Sequence, residues 1–149
     1  MSSKKPSVWR SGVGSAAVGA IANLAIYVAA RAASVSFVIP SFSPGGEPVA
    51  IPAGQVVFVT LVMLLIGTAV AAFAQGRGRL PVVKWLAGVL GVVSLGAPLS
   101  LDVDTSTKLV LASMHIVAAA TFVIALRRIE PATRGPVHTA PLADARVTA

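Results

Sequence analysis

Four long apolar runs, separated by short segments of polar and turn-forming residues, dominate the chain. They cover approximately residues 12–34, 54–75, 82–101 and 107–126. A helix needs about 20 mostly apolar residues to cross the hydrocarbon core of a bilayer, and each run has that length. Proline marks their ends. Pro52 and Pro81 stand just before or inside helix starts, where a missing N–H costs nothing. Pro98 falls near the end of the third run and should stop or kink it. That run is the shortest and is rich in glycine, with Gly88, Gly91 and Gly96.

The pattern between the runs differs. Residues 35–53 alternate at Val35, Phe37 and Ile39, then again at Val49 and Ile51, with Pro44-Gly-Gly-Glu-Pro48 supplying turn chemistry between them. This predicts either a short hairpin lying over the bundle mouth or an irregular loop held down by a few apolar side chains. The link near residues 75–81 is short, so the second and third runs should be antiparallel neighbours. Residues 129–149 hold Pro131, Pro136 and Pro141 among small polar residues and are expected to be disordered, since they offer little apolar surface to bury. The expected organisation is an arm over residues 1–11, a four-span membrane domain over 12–128 and a tail over 129–149.

Composition agrees with the pattern. The 149-residue chain is 56% hydrophobic and 11% charged, against about 25% charged in soluble domains. There is no cysteine, which removes disulfides, thiolate metal sites and a lipid anchor on Cys. The net charge of +7 does not indicate nucleic acid, because the basic residues flank apolar runs instead of forming a stripe with interleaved aromatics. Lys4, Lys5, Arg10, Arg77, Arg79, Lys84, Arg127, Arg128, Arg134 and Arg146 fall on one side of the spans; Arg31 and Lys108 fall on the other, with Glu47, Asp102 and Asp104. The positive-inside rule then places both termini in the cytoplasm and the protein in the cytoplasmic membrane. Trp9 and Trp85 fall at the same basic interface, which suits an amphipathic indole. A competing reading takes Lys4, Lys5 and Arg10, the first run and Ala30-Arg31-Ala32 as a secretory signal. The run's length, and Asn23 and Tyr27 inside it, favour a retained span.

Small residues four apart (Ser15 with Gly19, Ala16 with Ala20, Gly67 with Ala71, Ala87 with Gly91) offer seams for close helix approach, within the chain or between copies of it. The candidate chemistry is sparse. Asn23, Tyr27 and Arg31 recur every fourth residue and share one face of the first span. Lys108 and His115, two turns apart, share one face of the fourth, and His115 should lie at the depth of Tyr27 or Asn23. Polar groups inside a membrane are costly and usually point into the bundle, so both stripes could face one polar cavity. Each has a plainer reading: Asn23 as interhelical hydrogen-bond glue, Tyr27 as part of an interfacial belt, Arg31 snorkelling or paired with Glu47, Asp102 or Asp104. Asp104, followed by Thr105, Ser106 and Thr107, suits a helix N-cap. His115 needs a partner and can carry protons. Paired carboxylates inside the spans, a His pair at metal spacing and a nucleophile elbow are all missing, and Asp102, Asp104 and His115 are weak as a metal set. No enzyme activity, metal or cofactor is expected.

The segments GGEPVAIPAGQVVFVTLVMLLIGTAVA and LDVDTSTKLVLASMHIVAAATFVIALRR resemble a domain-of-unknown-function family of small four-span actinobacterial membrane proteins. The resemblance rests on Gly45–Pro48, the acid-x-Asp-Thr-x-Thr segment at residues 102–107, His115 and Arg127-Arg128, within residues 12–128. It implies four retained spans and brings no activity. The expectation is therefore an all-α antiparallel four-helix transmembrane bundle. Its function would be structural, or the binding of a ligand or partner through the external face, with the lipid bilayer, a membrane partner or further copies of the chain around it. The alternative is a small transporter or proton-coupled subunit using Tyr27, Asn23 and His115. The inner half of the spans offers only Thr68, Ser94 and Thr121 for a polar path, which ranks transport second.

Overall fold

A computed structural model describes residues 8–41 and 43–129. The elements are α1 (Val8–Ala32), β1 (Val38–Ile39), β2 (Val49–Ala50), α2 (Ala53–Gly76), α3 (Leu80–Val93), α4 (Gly96–Ser100) and α5 (Thr105–Ile129). Four helical segments are long and apolar enough to cross a membrane: α1, α2, α3 with α4, and α5. The chain is thus an all-α, multi-pass bundle whose successive spans alternate in direction. α1 starts four residues before the expected boundary, because Val8 is apolar and packs into the core. α5 runs to Ile129, which is buried. The expected arm over residues 1–7 and the tail from residue 130 lie outside the described residues.

Two ends can be distinguished. One holds the start of α1, the α2–α3 turn and the end of α5; Arg10, Arg77, Arg79, Lys84, Arg127 and Arg128 gather there, and it is called the basic end below. The other holds the β1–β2 link and the start of α5, with Arg31, Lys108, Glu47, Asp102 and Asp104; this is the loop end. α1 is central and packs along both α2 and α5, whereas α3 packs chiefly on α5. The packing of α1 depends on small residues. A Cβ on Gly12 would lie 2.1 Å from Thr68 Cγ2, and one on Gly19 would lie 2.7 Å from Leu64 Cδ1 and 3.1 Å from Thr121 Oγ1. Gly67 faces the Phe122 ring, and Gly91 faces Ala119. The seams that include Gly19, Gly67 and Gly91 are thereby used inside the chain, helix against helix. With α1 wedged between two other spans, the first apolar run is a working part of the bundle.

Apolar packing concentrates at the two ends. At the basic end Val8, Ala71, Leu80, Leu126 and Ile129 form one buried cluster, with Phe122 and Ala87 against it. At the loop end Ala30, Phe37, Val56 and Met114 form another, closed by Tyr27, Val35 and Ile51.

The links follow from backbone chemistry. α1 and α2 both end in Schellman motifs. After α1, Val35 N–H donates to Ala30 O at 2.9 Å and Ser34 N–H to Arg31 O at 3.0 Å, with Ser34 in the left-handed region at φ 63°. After α2, Arg79 N–H donates to Ala74 O at 2.9 Å and Gly78 N–H to Gln75 O at 3.0 Å, with Gly78 at φ 68°. Pro81 then occupies the first turn of α3, where no donor is needed. The third span is interrupted at Ser94–Leu95, one turn before Pro98. Pro98 offers no N–H to the Ser94 carbonyl, and its ring crowds that carbonyl, so the chain departs from the helix there and resumes as α4.

Candidate functional site

The residues at the loop end are organised by a short antiparallel hairpin, with Val38 opposite Ala50 and Ile39 opposite Val49. Ile51 N–H extends the ladder to Phe37 O at 2.8 Å. Of the two readings of this segment, the hairpin is the one formed. Alternation works as the sequence suggests: Phe37 is 2% exposed and plugs the bundle mouth, while its neighbour Val38 points outward. The Phe37 ring rests on Tyr27 with centroids 4.5 Å apart.

Three polar side chains hold this cap in place. The Tyr27 hydroxyl donates to Ile51 O at 3.0 Å, tying α1 to the end of the hairpin. Thr107, fully buried, places its hydroxyl against Ser36 O and 2.8 Å from Asp104 Oδ1, tying α5 to the hairpin's start. Asp104 caps α5: its Oδ2 accepts from Thr107 N–H at 2.9 Å and from the Ser106 hydroxyl. Those bonds, that from Ser106 first and then those from Thr107, favour the ionised form and hold the carboxyl down at about 2, from 3.8. Asp104 is therefore a helix cap with a second task, since it orients the Thr107 hydroxyl that grips the hairpin.

Deeper in the bundle, Asn23 is 3% exposed and donates through Nδ2 to Thr60 Oγ1 at 3.0 Å. This joins α1 to α2 near mid-span. Its Oδ1 is buried without a partner among the described residues. Thr60 escaped the sequence reading. The signal was present, because a buried Asn in one span needs a donor or acceptor at the same depth in another, and Thr60 is the polar residue of α2 at that depth.

His115 lies at the depth expected. Gly19 faces Thr121, so six residues back along α5 His115 is level with the turn between Asn23 and Tyr27. Its Nδ1, however, pairs with Leu111 O at 2.8 Å, the carbonyl one turn back on its own helix. Among the described residues it shares no hydrogen bond with Asn23 or Tyr27. Gly91 opposite Ala119 further shows that the His115 stripe of α5 runs along the α3 side, level with the break at Ser94–Leu95.

The remaining candidates are peripheral. Arg31 and Asp102 are exposed, Lys108 is half-buried, and among the described residues Arg31 forms no ion pair with Glu47, Asp102 or Asp104. The structure thus gives Asn23, Tyr27 and Asp104 separate structural partners and leaves Arg31, Asp102 and Lys108 on the rim. Among the described residues no three His, Asp or Glu side chains gather as a metal set.

A cavity of about 440 Å³ lies at the opposite end, between the start of α1 and the end of α5, with Arg10 and Arg128 at its mouth. Sequence reading took these arginines only as topology signals, since nothing in either span alone shows that they flank one groove.

Residues 3–132 match a family model described as a family of unknown function (DUF6069). No curated protein and no solved structure matches the chain.

Proposed function

The chain belongs to the DUF6069 family, and we propose that it is a non-enzymatic protein of the cytoplasmic membrane, both termini inside, that binds a ligand or partner protein through its capped external face. One observation carries this reading. Two polar side chains of the loop end tie the hairpin to the bundle, the Tyr27 hydroxyl to Ile51 O and the Thr107 hydroxyl to Ser36 O. A fixed cap presents a constant surface, and its rim is both apolar and charged: Val38 and Val49 are 41% and 52% exposed beside Glu47, and the start of α5 adds exposed Asp102. Association through a preorganised surface avoids the entropy of ordering a loop. Six of the eight described Lys and Arg lie at the basic end, which supports the external placement of the cap.

Site-specific photo-crosslinkers at Glu47, Val49 and Asp102 in living cells test this. Discrete adducts of one common mass are expected from the three cap positions and none from lipid-facing Met63. Smeared or absent adducts from all three would overturn the binding reading.

Transport is the second reading, and its support is the unpaired Asn23 Oδ1 buried near mid-span. Proteoliposomes loaded with a pH dye should leak protons no faster than empty vesicles. A flux that His115→Gln abolishes would reverse the ranking.

A further inference from the structure

The polar contacts near mid-span leave hydrogen-bonding positions unmet on three side chains. Asn23 Oδ1 is buried without a partner among the described residues. Thr60 Oγ1 accepts from Asn23 Nδ2, but its own O–H reaches no acceptor among them. The third position is on His115. Leu111 O can only accept, so a neutral imidazole facing it carries its proton on Nδ1. Nε2 is then an acceptor, and it too has no partner among the described residues.

Helix register brings Thr60 and His115 onto one line. α2 and α5 run in the same direction, and a Cβ on Gly67 would lie 3.0 Å from Phe122 Cζ. Seven residues earlier is two turns back on each helix, on the same face, at Thr60 on α2 and His115 on α5. Thr60 is bonded to Asn23 on α1, so it stands between the amide and the imidazole.

The bundle is open beside this line. α3 meets α2 in the cluster near their turn, where Leu80, Val83 and Ala87 lie with Ala71 and Ala72. Past the break at Ser94–Leu95, level with His115, α4 packs on α5 and does not touch α2. A lateral gap between α2 and α4 therefore leads from the lipid to Thr60 and His115. His115 is half-buried, and Met63, one turn on from Thr60, is 65% exposed.

One donor and two acceptors select one kind of guest. A ketone or ether only accepts and leaves both acceptors unmet; an ammonium only donates and carries a charge that is costly at this depth. A hydroxyl does both, accepting from Thr60 and donating to His115 Nε2 or Asn23 Oδ1. In hydrocarbon a hydroxyl has no other partner, so the site supplies hydrogen bonds that the guest lacks in lipid.

We propose that this gap binds a lipid-soluble amphiphile bearing a hydroxyl, with the hydroxyl between Thr60 and His115 and the apolar body between α2 and α4. Water offers the same hydroxyl but no apolar body to cover the sides of the gap. The site rests on the helices being membrane spans, and is independent of what binds at the cap.

Photolabelling of the full chain in phosphatidylcholine vesicles tests it. The probes are octanol with a diazirine in its chain and octane with the same diazirine, at equal mole fraction in the bilayer. The alcohol should label the residues flanking Thr60 and His115 about fivefold more than the alkane does, as one hydrogen bond provides. Thr60→Val with His115→Leu should bring the two probes level. Met63→Trp, which keeps both polar groups and fills the gap from its side, should lower labelling by the alcohol about threefold. Thr121→Val, which removes a hydroxyl facing α1, should leave it unchanged. Helical circular dichroism confirms that each variant folds. In the unsubstituted chain carrying isotope-labelled histidine, the Nε2 resonance of His115 should shift on adding octanol and stay in place on adding octane. Equal labelling by the two probes in the unsubstituted chain, which is the outcome if water alone enters, would overturn the proposal. So would full labelling of the double variant or of Met63→Trp, a loss in Thr121→Val equal to that of the double variant, or a His115 resonance that octanol does not move.

Discussion

The first and third spans have nearly the same mean hydropathy, 1.8 and 1.7, yet 33% of the first is buried inside the bundle and only 6% of the third. Both carry three or more glycines. The difference lies in what those glycines meet. Gly12 and Gly19 bring α1 into contact with Thr68, Leu64 and Thr121 on two neighbours, while Gly88 and Gly96 meet nothing and only Gly91 touches another helix. Hydropathy reports the solvent of a span. Close approach reports its partners, and in lipid there is no hydrophobic force between helices to replace it.

The sharpest way to break this comparison is to add side-chain volume to both spans. Gly12→Leu should destabilise the bundle by about 3 kcal/mol or more, since even a Cβ there overlaps Thr68. Gly88→Leu should stay within about 0.5 kcal/mol, as at other uncrowded surface positions. Thermal unfolding in detergent measures both, and similar losses would end the contrast. A smaller effect separates the polar contacts. Thr60→Val leaves buried Asn23 with neither amide atom paired and should cost about 1–2 kcal/mol. Asn23→Leu removes the unpaired oxygen along with the bond and should cost less than about 1 kcal/mol. Ser94→Ala in the third span should be nearly silent, because the Ser94 hydroxyl bonds only Gly91 O in its own turn. A larger loss for Asn23→Leu than for Thr60→Val would show that the oxygen has a partner.

The smallest effect concerns pH. The Asp104 carboxyl is held at about 2 in the folded chain against 3.8. A depressed acid contributes stability that is fully present above 3.8 and is lost as pH falls through about 2. The melting temperature of the wild type should therefore fall between pH 5 and pH 2 relative to Asp104→Asn, in which this contribution is absent. Parallel curves would remove Asp104 from the cap. Every other described acid, Glu47 and Asp102, also lies at the loop end, so α3, which begins at the basic end, should keep its helix signal over this range.

The spans were legible in the sequence because a bilayer demands long apolar runs whatever their neighbours are. The alternation of Val35, Phe37 and Ile39 and the turn residues after them left a hairpin and an irregular loop equally open, and only the structure chose the hairpin; the disturbance caused by Pro98 was legible, though the break falls a turn earlier, at the carbonyl that Pro98 cannot satisfy. Spacing shows which residues share a face but not which helix that face meets. Asn23, Tyr27 and His115 thus looked like parts of one cluster, whereas their partners are Thr60, Ile51 O and Leu111 O. His115 illustrates the difficulty: any helical histidine has a carbonyl one turn back within reach, so its depth alone could not name a distant partner. The groove was illegible for a related reason, since Arg10 and Arg128 are far apart in the chain and become neighbours only through the antiparallel pairing of α1 and α5.

The ties on the hairpin also decide where the chain will accept extra length. Ser36, Phe37 and Ile51 are each held by hydrogen bonds to α5, to each other or to α1. Among the described residues, the turn at residues 43–48 has no such tie to a helix, its hydrogen bonds from Ser43 N–H to Ser41 Oγ and from Gly46 N–H to Ser43 O being local, and Gly45 has φ 74° and open space around it. Closing a longer loop between fixed ends costs only about 0.6 kcal/mol for each doubling of its length. An affinity tag or a fluorescent peptide inserted after Gly45 should thus leave the spans and the cap's base unchanged, giving a handle at the loop end of the bundle.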